Sequence, residues 1–343
     1  NPMIAGTGHR ICNDCMKSCI YQKQDPVDIP KVETQILEEI LNLNYGFEIY
    51  SLLTRWNPLN IFTPLPSNNS KYKILICGQG PAGFTLAHYL LQSGHKIVAV
   101  DGLKIEPLPK EIEGKDCQPI KNVHKQLYEK LDDHLMAGFG GVMEYGITAR
   151  WNKNFLKIIR LILTRRQNYQ LFGGIRFGSQ ITEKNAFNQL GFDHIALCVG
   201  AGKPNLINIK NNLACGVKMA SDFLMALQLG GAYKNDSITN LQIRMPICVI
   251  GGGLTAIDTA CEAASYYIRQ VEKFSQRHQI LCQEYGQNNI EKTWNEQERQ
   301  IASEFLNHAQ IICNARKNHK KPDLTKLIKQ FGGVKIIYRK DLN

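Results

Sequence analysis

Residues Lys71 to Asp101 read KYKILICGQGPAGFTLAHYLLQSGHKIVAVD: an apolar run, a glycine-rich turn, a helical stretch, and a second apolar run ending on an acid. The runs Lys73 to Cys77 and Lys96 to Val100 are short, continuous and rich in β-branched residues, which predicts buried strands. Pro81 to Ser93 predicts the helix between them, with Pro81 at its start and Gly94 just past its end. Strand, helix and strand in this order predict an α/β fold with a parallel sheet covered on both faces. Gly78, Gly80 and Gly83 form G-x-G-x-x-G, with Pro81 and Ala82 inside it. The first glycine of such a turn permits the tight bend, and the second lets backbone N–H groups approach a pyrophosphate. The third lets helix and strand pack closely. The helix start then offers unpaired N–H groups and the positive end of its dipole to the anion. Asp101, 18 residues after Gly83, is placed to accept hydrogen bonds from ribose hydroxyls and to repel a 2′-phosphate. FAD or NAD is expected here rather than NADP.

The same unit recurs. Ile243 to Ile250 predicts a strand, and Gly251-Gly252-Gly253-Leu254-Thr255-Ala256 fits the G-x-G-x-x-A variant, with a helix following to about Ile268. Thr255 and Asp258 are expected on the first turn of that helix, supporting its cap or touching phosphate. The next strand is delayed to Val334 to Lys340, and it ends on Arg339 and Lys340 rather than on an acid. Basic residues there suit the 2′-phosphate of NADP(H). Assigning NADP to this second turn leaves FAD for the first.

Working outward gives the domain order. Residues 1–56 form a Cys-containing and helical segment, in which Val32, Ile36, Ile40 and Leu43 recur at helical spacing across 31–55. A Pro/Asn/Ser-rich linker covers 57–70. An FAD-binding domain spans 71–242, with an irregular stretch from Gly102 to Ala137 and a buried strand over 192–199. An NAD(P)-binding domain spans 243–343, with a helical insertion over 269–333. The chain lacks an initiator Met and stops after a strand, so both ends are expected to be incomplete.

Across 343 residues, 43% are apolar and 21% charged, so the chain can bury a core. No apolar run reaches the roughly 18 residues of a membrane span, and no signal pattern opens the chain. A cytoplasmic location is expected. The net charge is +11 and the only dense basic cluster is Arg316 to Lys321, without interleaved aromatics, so nucleic-acid binding is not expected.

Eleven Cys without a secretory signal argue against a disulfide scaffold. Cys12, Cys15 and Cys19 crowd one polar segment, as thiolate metal ligands do. An iron–sulfur cluster takes four Cys, and Cys117 or a residue outside this sequence would supply the fourth. A zinc site would use His9 instead, and a redox dithiol would use Cys12 and Cys15.

Taken in order, these motifs resemble the flavoprotein family of the glutamate synthase small subunit, of pyridine nucleotide–disulfide oxidoreductase type. The N-terminal part of dihydropyrimidine dehydrogenase is similar. Gly140-Gly141-Val142-Met143-Glu144-Tyr145-Gly146-Ile147 resembles the family's segment beside the flavin, which implies that Gly140, Gly141, Tyr145 and Gly146 line it. Val199-Gly200-Ala201-Gly202 resembles the strand-end turn that returns to FAD, implying roles for Gly200 and Ala201. Gly251 to Asp258 is similar to the NADPH motif, with Leu254 where the family has Asp, and Tyr338-Arg339-Lys340 resembles its 2′-phosphate strand end.

The resemblance implies hydride transfer from NADPH to FAD, then electrons leaving through a 4Fe-4S cluster to a partner subunit or a downstream ferredoxin-like domain. Three departures stand out. The family's fourth cluster Cys is not found near Asp25-Pro26, the 269–333 insertion is long, and the return that closes the FAD fold is missing. A catalytically incomplete FAD-binding or subunit-docking protein is the alternative. A thiol reductase is a weaker one, because residues 84–95 and 259–268 hold only Cys261.

Overall fold

The computed structural model describes residues 2–7, 14–56, 65–67, 70–114, 116–131, 134, 137–149, 151–201, 204, 206–239, 241–318 and 321–339. The chain divides into two compact units, Asn1–Asn205 and Leu206–Asn343.

The first unit opens with α1 (Asp14–Lys17), α2 (Ile29–Leu41) and α3 (Gly46–Arg55). It continues through β1 (Lys73–Cys77), α4 (Pro81–Gln92) and β2 (Lys96–Val100). Next come α5 (Lys110–Glu113), α6 (Val123–Gln126), α7 (Val142–Tyr145), α8 (Phe155–Thr164), β3 (Tyr169–Phe172), α9 (Glu183–Asn188) and β4 (His194–Leu197). The four strands form a parallel sheet in the order β3-β2-β1-β4, with Leu75 paired to both Val98 and Ile195. Side chains alternate across β1, as strand geometry requires. Ile74 and Ile76 face the core built with Phe84, Ala87 and Leu91 of α4 and the apolar face of α8. Leu75 and Cys77 face Val100, Ala186 and Phe192 on the other side. The chain lays β2 and β3 to one side of β1 and β4 to the other. The sheet therefore has its switch point between β1 and β4, where ligands of open α/β sheets bind at the carboxyl ends.

The 31–55 stretch is not one helix. Tyr45 takes a left-handed conformation (φ 60) and Gly46 starts the second helix, where a Cβ would lie 2.1 Å from the Ile40 carbonyl oxygen. Burial also differs from the periodic stripe. Leu37 and Leu41 are buried, whereas Val32, Ile36 and Leu43 of that stripe are exposed. Strand β3, flanked by Arg165, Arg166 and Gly173, is an element the sequence reading did not include.

His88 of α4 is buried beneath the C-terminal turn of α8, its Nδ1 facing Arg166. Burial, then the charges of Arg166 and Arg55, hold its imidazole down to about 3. A histidine whose folded pKa lies below the ordinary 6.5 binds its proton only on unfolding. Its contribution to stability is complete above pH 6.5 and is lost as pH falls toward 3. The slope reaches about 1.4 kcal/mol per pH unit for one proton. Denaturant unfolding of wild type and His88→Gln between pH 4 and 7 is expected to show a steeper acid loss in wild type. Parallel curves would show that His88 is protonated in the fold.

In the second unit, α10 (Ala220–Gln228) is followed by β5 (Ile247–Ile250), α11 (Leu254–Tyr285), α12 (Gln287–Lys292), α13 (Glu296–Asn318), α14 (Leu324–Gln330) and β6 (Val334–Ile337). β5 and β6 pair in parallel, Ile247 with Val334 through Ile250 with Ile337. The α11 helix runs well past Ile268. Its Ala263 and Tyr266 pack on Phe223, Leu224 and Leu227 of α10. Tyr267 and Val271 pack on Phe305, Ala309 and Ile312 of α13 and on Ile328 of α14. This packing places α10 in the second unit, so the division falls upstream of the 242/243 boundary drawn from the sequence. The basic run near Arg316 closes α13, where cations complement the helix dipole, and Arg316 pairs with Glu272 at 2.7 Å.

Candidate functional site

Three glycine-bearing segments meet at the carboxyl end of β1. Gly78 follows the strand with φ 96, and a Cβ there would lie 2.3 Å from the Cys198 carbonyl oxygen at the end of β4. Gly83 sits on the first turn of α4, where a Cβ would come within 1.9 Å of the Gly78 oxygen. Both positions need glycine for the polypeptide's own packing. Gly80 does not. Its φ of −77 suits any residue, and its Cβ would find nothing nearer than the Gly140 oxygen at 3.9 Å and the Gly141 Cα at 4.0 Å. Gly80 caps α4 without a side-chain hydrogen bond, leaving the first-turn N–H groups of Ala82 and Gly83 facing that opening.

The Gly138–Gly141 turn closes over the same place. Gly138, Gly140 and Gly141 all have positive φ, and the Gly140 N–H donates to the Gln79 carbonyl at 3.0 Å. Tyr145 and Gly146 end the short helix α7 that follows. On the β4 side, Gly200 has φ 71 and no described atom within 4 Å of a Cβ, and Ala201 is exposed. Asp101 ends β2 half-buried. Its Oδ2 accepts from the Gln79 N–H at 2.8 Å and its Oδ1 from the Leu103 N–H at 2.9 Å. Asp101 thus braces the turn, and a carboxylate with two bonds made retains acceptor capacity for ribose hydroxyls.

Two residues that motif reading passed over complete the turn. Gln79 is fully buried. Its amide donates to the Gly78 carbonyl at 2.9 Å, and its side-chain oxygen accepts from the Tyr169 hydroxyl at 2.8 Å. A long polar side chain between the two glycines of the turn is the signal that could have found Gln79. Tyr169 carries no such signal, because it lies 90 residues away.

The second turn repeats the pattern. Gly251 has φ 137, and its N–H donates to the Ile337 carbonyl at 2.9 Å. A Cβ on Gly252 would strike the Tyr338 ring at 2.2 Å. Gly253 caps α11 with φ −84 and no described atom within 4 Å of a Cβ. Leu254 is half-buried, Thr255 exposed and Ala256 buried on the first turn. Gly253 rather than Thr255 takes the cap position of α11, Thr255 lies exposed on the first turn, and Asp258 is buried inside the unit. Arg339 is exposed at the end of β6, and Lys340 lies outside the described residues.

The Cys segment offers less. Cys12 and His9 lie outside the described residues. Cys15 and Cys19 are free and half-buried, and the Tyr21 N–H donates to the Cys19 sulfur at 3.4 Å. Among the described residues, no three His, Cys, Asp or Glu side chains gather as metal ligands, and Cys117 joins no such group. Two sulfurs alone do not satisfy an iron–sulfur cluster, which takes four. No helix among the described residues is long and apolar enough to cross a membrane.

A mixed α/β chain with a glycine-rich turn at the switch point of a parallel sheet is a dinucleotide-binding protein in class. Residues 72–322 match the pyridine nucleotide-disulphide oxidoreductase family, and the chain belongs to it. The family binds FAD and NAD(P) and points to an oxidoreductase. Over 337 residues the chain is 52% identical to an uncharacterized protein of Rickettsia prowazekii (strain Madrid E), covering 98% of this chain and 45% of that protein. Over 276 residues it is 25% identical to the glutamate synthase (NADPH) small chain of Bacillus subtilis (strain 168), covering 79% of this chain and 46% of that one. The chain spans a little under half the length of these curated relatives.

Proposed function

We propose that this chain is the dinucleotide-binding part of an NADPH-dependent flavin oxidoreductase similar to the glutamate synthase small subunit, with FAD at the first turn and NADP(H) at the second. One observation carries the reading: in each turn the glycine that the polypeptide itself does not require, Gly80 or Gly253, is the one whose missing Cβ leaves a ligand room. Gly78, Gly80, Pro81, Ala82 and Gly83 would hold the FAD pyrophosphate, with Asp101 at the ribose. Gly140, Gly141, Tyr145, Gly146, Gly200 and Ala201 would line the flavin side. Gly251, Gly253, Leu254, Thr255 and Ala256 would hold the second nucleotide, with Arg339 and Lys340 on its 2′-phosphate.

When bound, the two cofactors supply hydride transfer. The protein's own work is to orient them: helix starts face the phosphates, and Asp101 braces the first turn through its bond to Gln79. We further propose that Cys12, Cys15 and Cys19 would supply three of the four thiolates that an iron–sulfur cluster takes, a reading supported by the N–H donated to the Cys19 sulfur. Electrons would pass from it to a partner subunit or ferredoxin-like domain, in the cytoplasm. No disulfide-reductase role is proposed. Cys77 and Cys198, the thiols at the first turn, pack on opposite faces of the sheet, and Cys261 is exposed on α11.

A second reading is that this part binds FAD but needs further chain to turn over. β4 pairs on one side only, with Leu197 and Val199 exposed, and the relatives are about twice as long. Purified protein is expected to be yellow, with flavin absorbance that NADPH bleaches and NADH does not. A folded, colourless protein that takes up no added FAD refutes the first claim. Flavin that neither nucleotide bleaches favours the second reading.

A further inference from the structure

Glu144 is the most fully buried carboxyl group beside the first turn, at 1% exposure. Its Oε1 accepts two backbone N–H groups, from Ala137 and from Gly138 (3.0 Å), closing a ring around the Gly138–Gly141 turn. That turn touches the dinucleotide loop directly. Gly140 N–H donates to Gln79, and a Cβ on Gly141 would lie 3.1 Å from the Gly80 Cα. The other oxygen, Oε2, is buried with no hydrogen-bond partner among the described residues. A buried carboxylate oxygen without a donor is costly, by about 1–3 kcal/mol or more, which is why burial disfavours the charged form here.

We propose that Glu144 is a positioning residue: its carboxyl clasps the Gly138–Gly141 turn against Gly80 and so pre-shapes the rim on which the FAD pyrophosphate rests. The inference rests on the FAD assignment made above. Among the described residues, the charged groups acting on Glu144 are Lys153 ahead of α8, which favours ionisation, and Asp101 just after β2, which opposes it. Burial is the largest influence and raises the carboxyl above the usual range. The two backbone N–H groups only partly offset it. A pyrophosphate brought to Gly80 adds negative charge nearby, so FAD binding selects the protonated form. Affinity for FAD is then greatest below the raised pKa and falls as pH rises through it.

The test compares flavin-stripped wild type, Glu144→Gln and Glu144→Ala by FAD fluorescence titration across pH 6 to 9, with amide hydrogen exchange read over 137–141. Glutamine keeps the acceptor and places a donor at Oε2. It is expected to bind FAD within about threefold of wild type at pH 6 and to flatten the pH profile. Alanine is expected to weaken FAD at least tenfold and to speed exchange at 137–141. Equal FAD affinity in wild type and Glu144→Ala overturns the proposal, as does a Glu144→Gln profile that still falls like wild type. Should Glu144→Ala not fold, the glutamine profile decides alone. Wild type that binds no FAD at any pH refutes the FAD assignment instead, and the exchange rates of Glu144→Gln and Glu144→Ala then decide whether the clasp exists.

Discussion

Replacing Gly83 with alanine is expected to unfold or strongly destabilise the first unit, while replacing Gly80 with alanine is expected to leave the fold intact and remove FAD. Two glycines of one motif thus fail in different ways. At position 83 the new methyl would sit 1.9 Å from the Gly78 carbonyl oxygen, a backbone atom that cannot swing away. Helix α4 would have to lift from β1, disturbing Phe84, Ala87 and Leu91 in the core they share with Ile74 and Ile76. Overpacking of a close-packed interior costs about 1–3 kcal/mol, and more when backbone must move. At position 80 the methyl would meet nothing closer than 3.9 Å, and the extended backbone there suits alanine. Its melting temperature should stay close to that of wild type. The methyl does, however, occupy the path by which the loop's N–H groups approach a pyrophosphate, and FAD affinity should fall at least tenfold. Thermal unfolding of the apoprotein, paired with FAD titration, separates the two effects. If Gly80→Ala binds FAD like wild type, the opening beside Gly80 is not the pyrophosphate site.

The second large effect concerns the choice of nucleotide. Arg339→Ala is expected to weaken NADPH about tenfold or more and to leave NADH nearly unchanged, because on the proposed assignment only the 2′-phosphate would meet that guanidinium. A charge-assisted hydrogen bond contributes about 1.5–3 kcal/mol, which corresponds to that range of affinity. Arg339 is exposed, so the preference for NADPH should also shrink as salt rises. Gly253→Val serves as the contrasting variant. It fills the space where no described atom stands within 4 Å, and it should weaken both nucleotides together. Equal loss of NADPH and NADH in Arg339→Ala would mean that β6 does not end at a 2′-phosphate.

The glycines of both turns were legible because their roles are local: each is defined by a strand before it, a helix after it and a fixed spacing. The strands β1, β2, β4, β5 and β6 were legible for a similar reason, as each is a short apolar run, but only β1 and β2 are mainly buried. β4, expected as buried over 192–199, is half-exposed to exposed along its length, and β5 and β6 are largely exposed. β3 was not, since Tyr-Gln-Leu-Phe between arginines and glycines is too short to show a period. The helical stripe of Val32, Ile36 and Leu43 announced a helix but pointed to the wrong face, because Leu37 and Leu41 are the residues that pack. Nor does any local rule show that α11 continues to Tyr285. Burial against α10, α13 and α14 carries the helix past Ile268 as far as Lys273.

The sequence by itself determined the α/β class, the two glycine-rich turns and the acid and base that end their second strands, since all of these depend on neighbours within a few dozen residues. Tertiary structure decided which glycines the chain needs for itself and which it leaves open to a ligand. It also decided that Tyr169 and Asp101 brace the first turn through Gln79, and that Glu144 lies buried beside it. Those outcomes depend on contacts across as many as 90 residues, and on how much water each polar group loses, which no local pattern encodes.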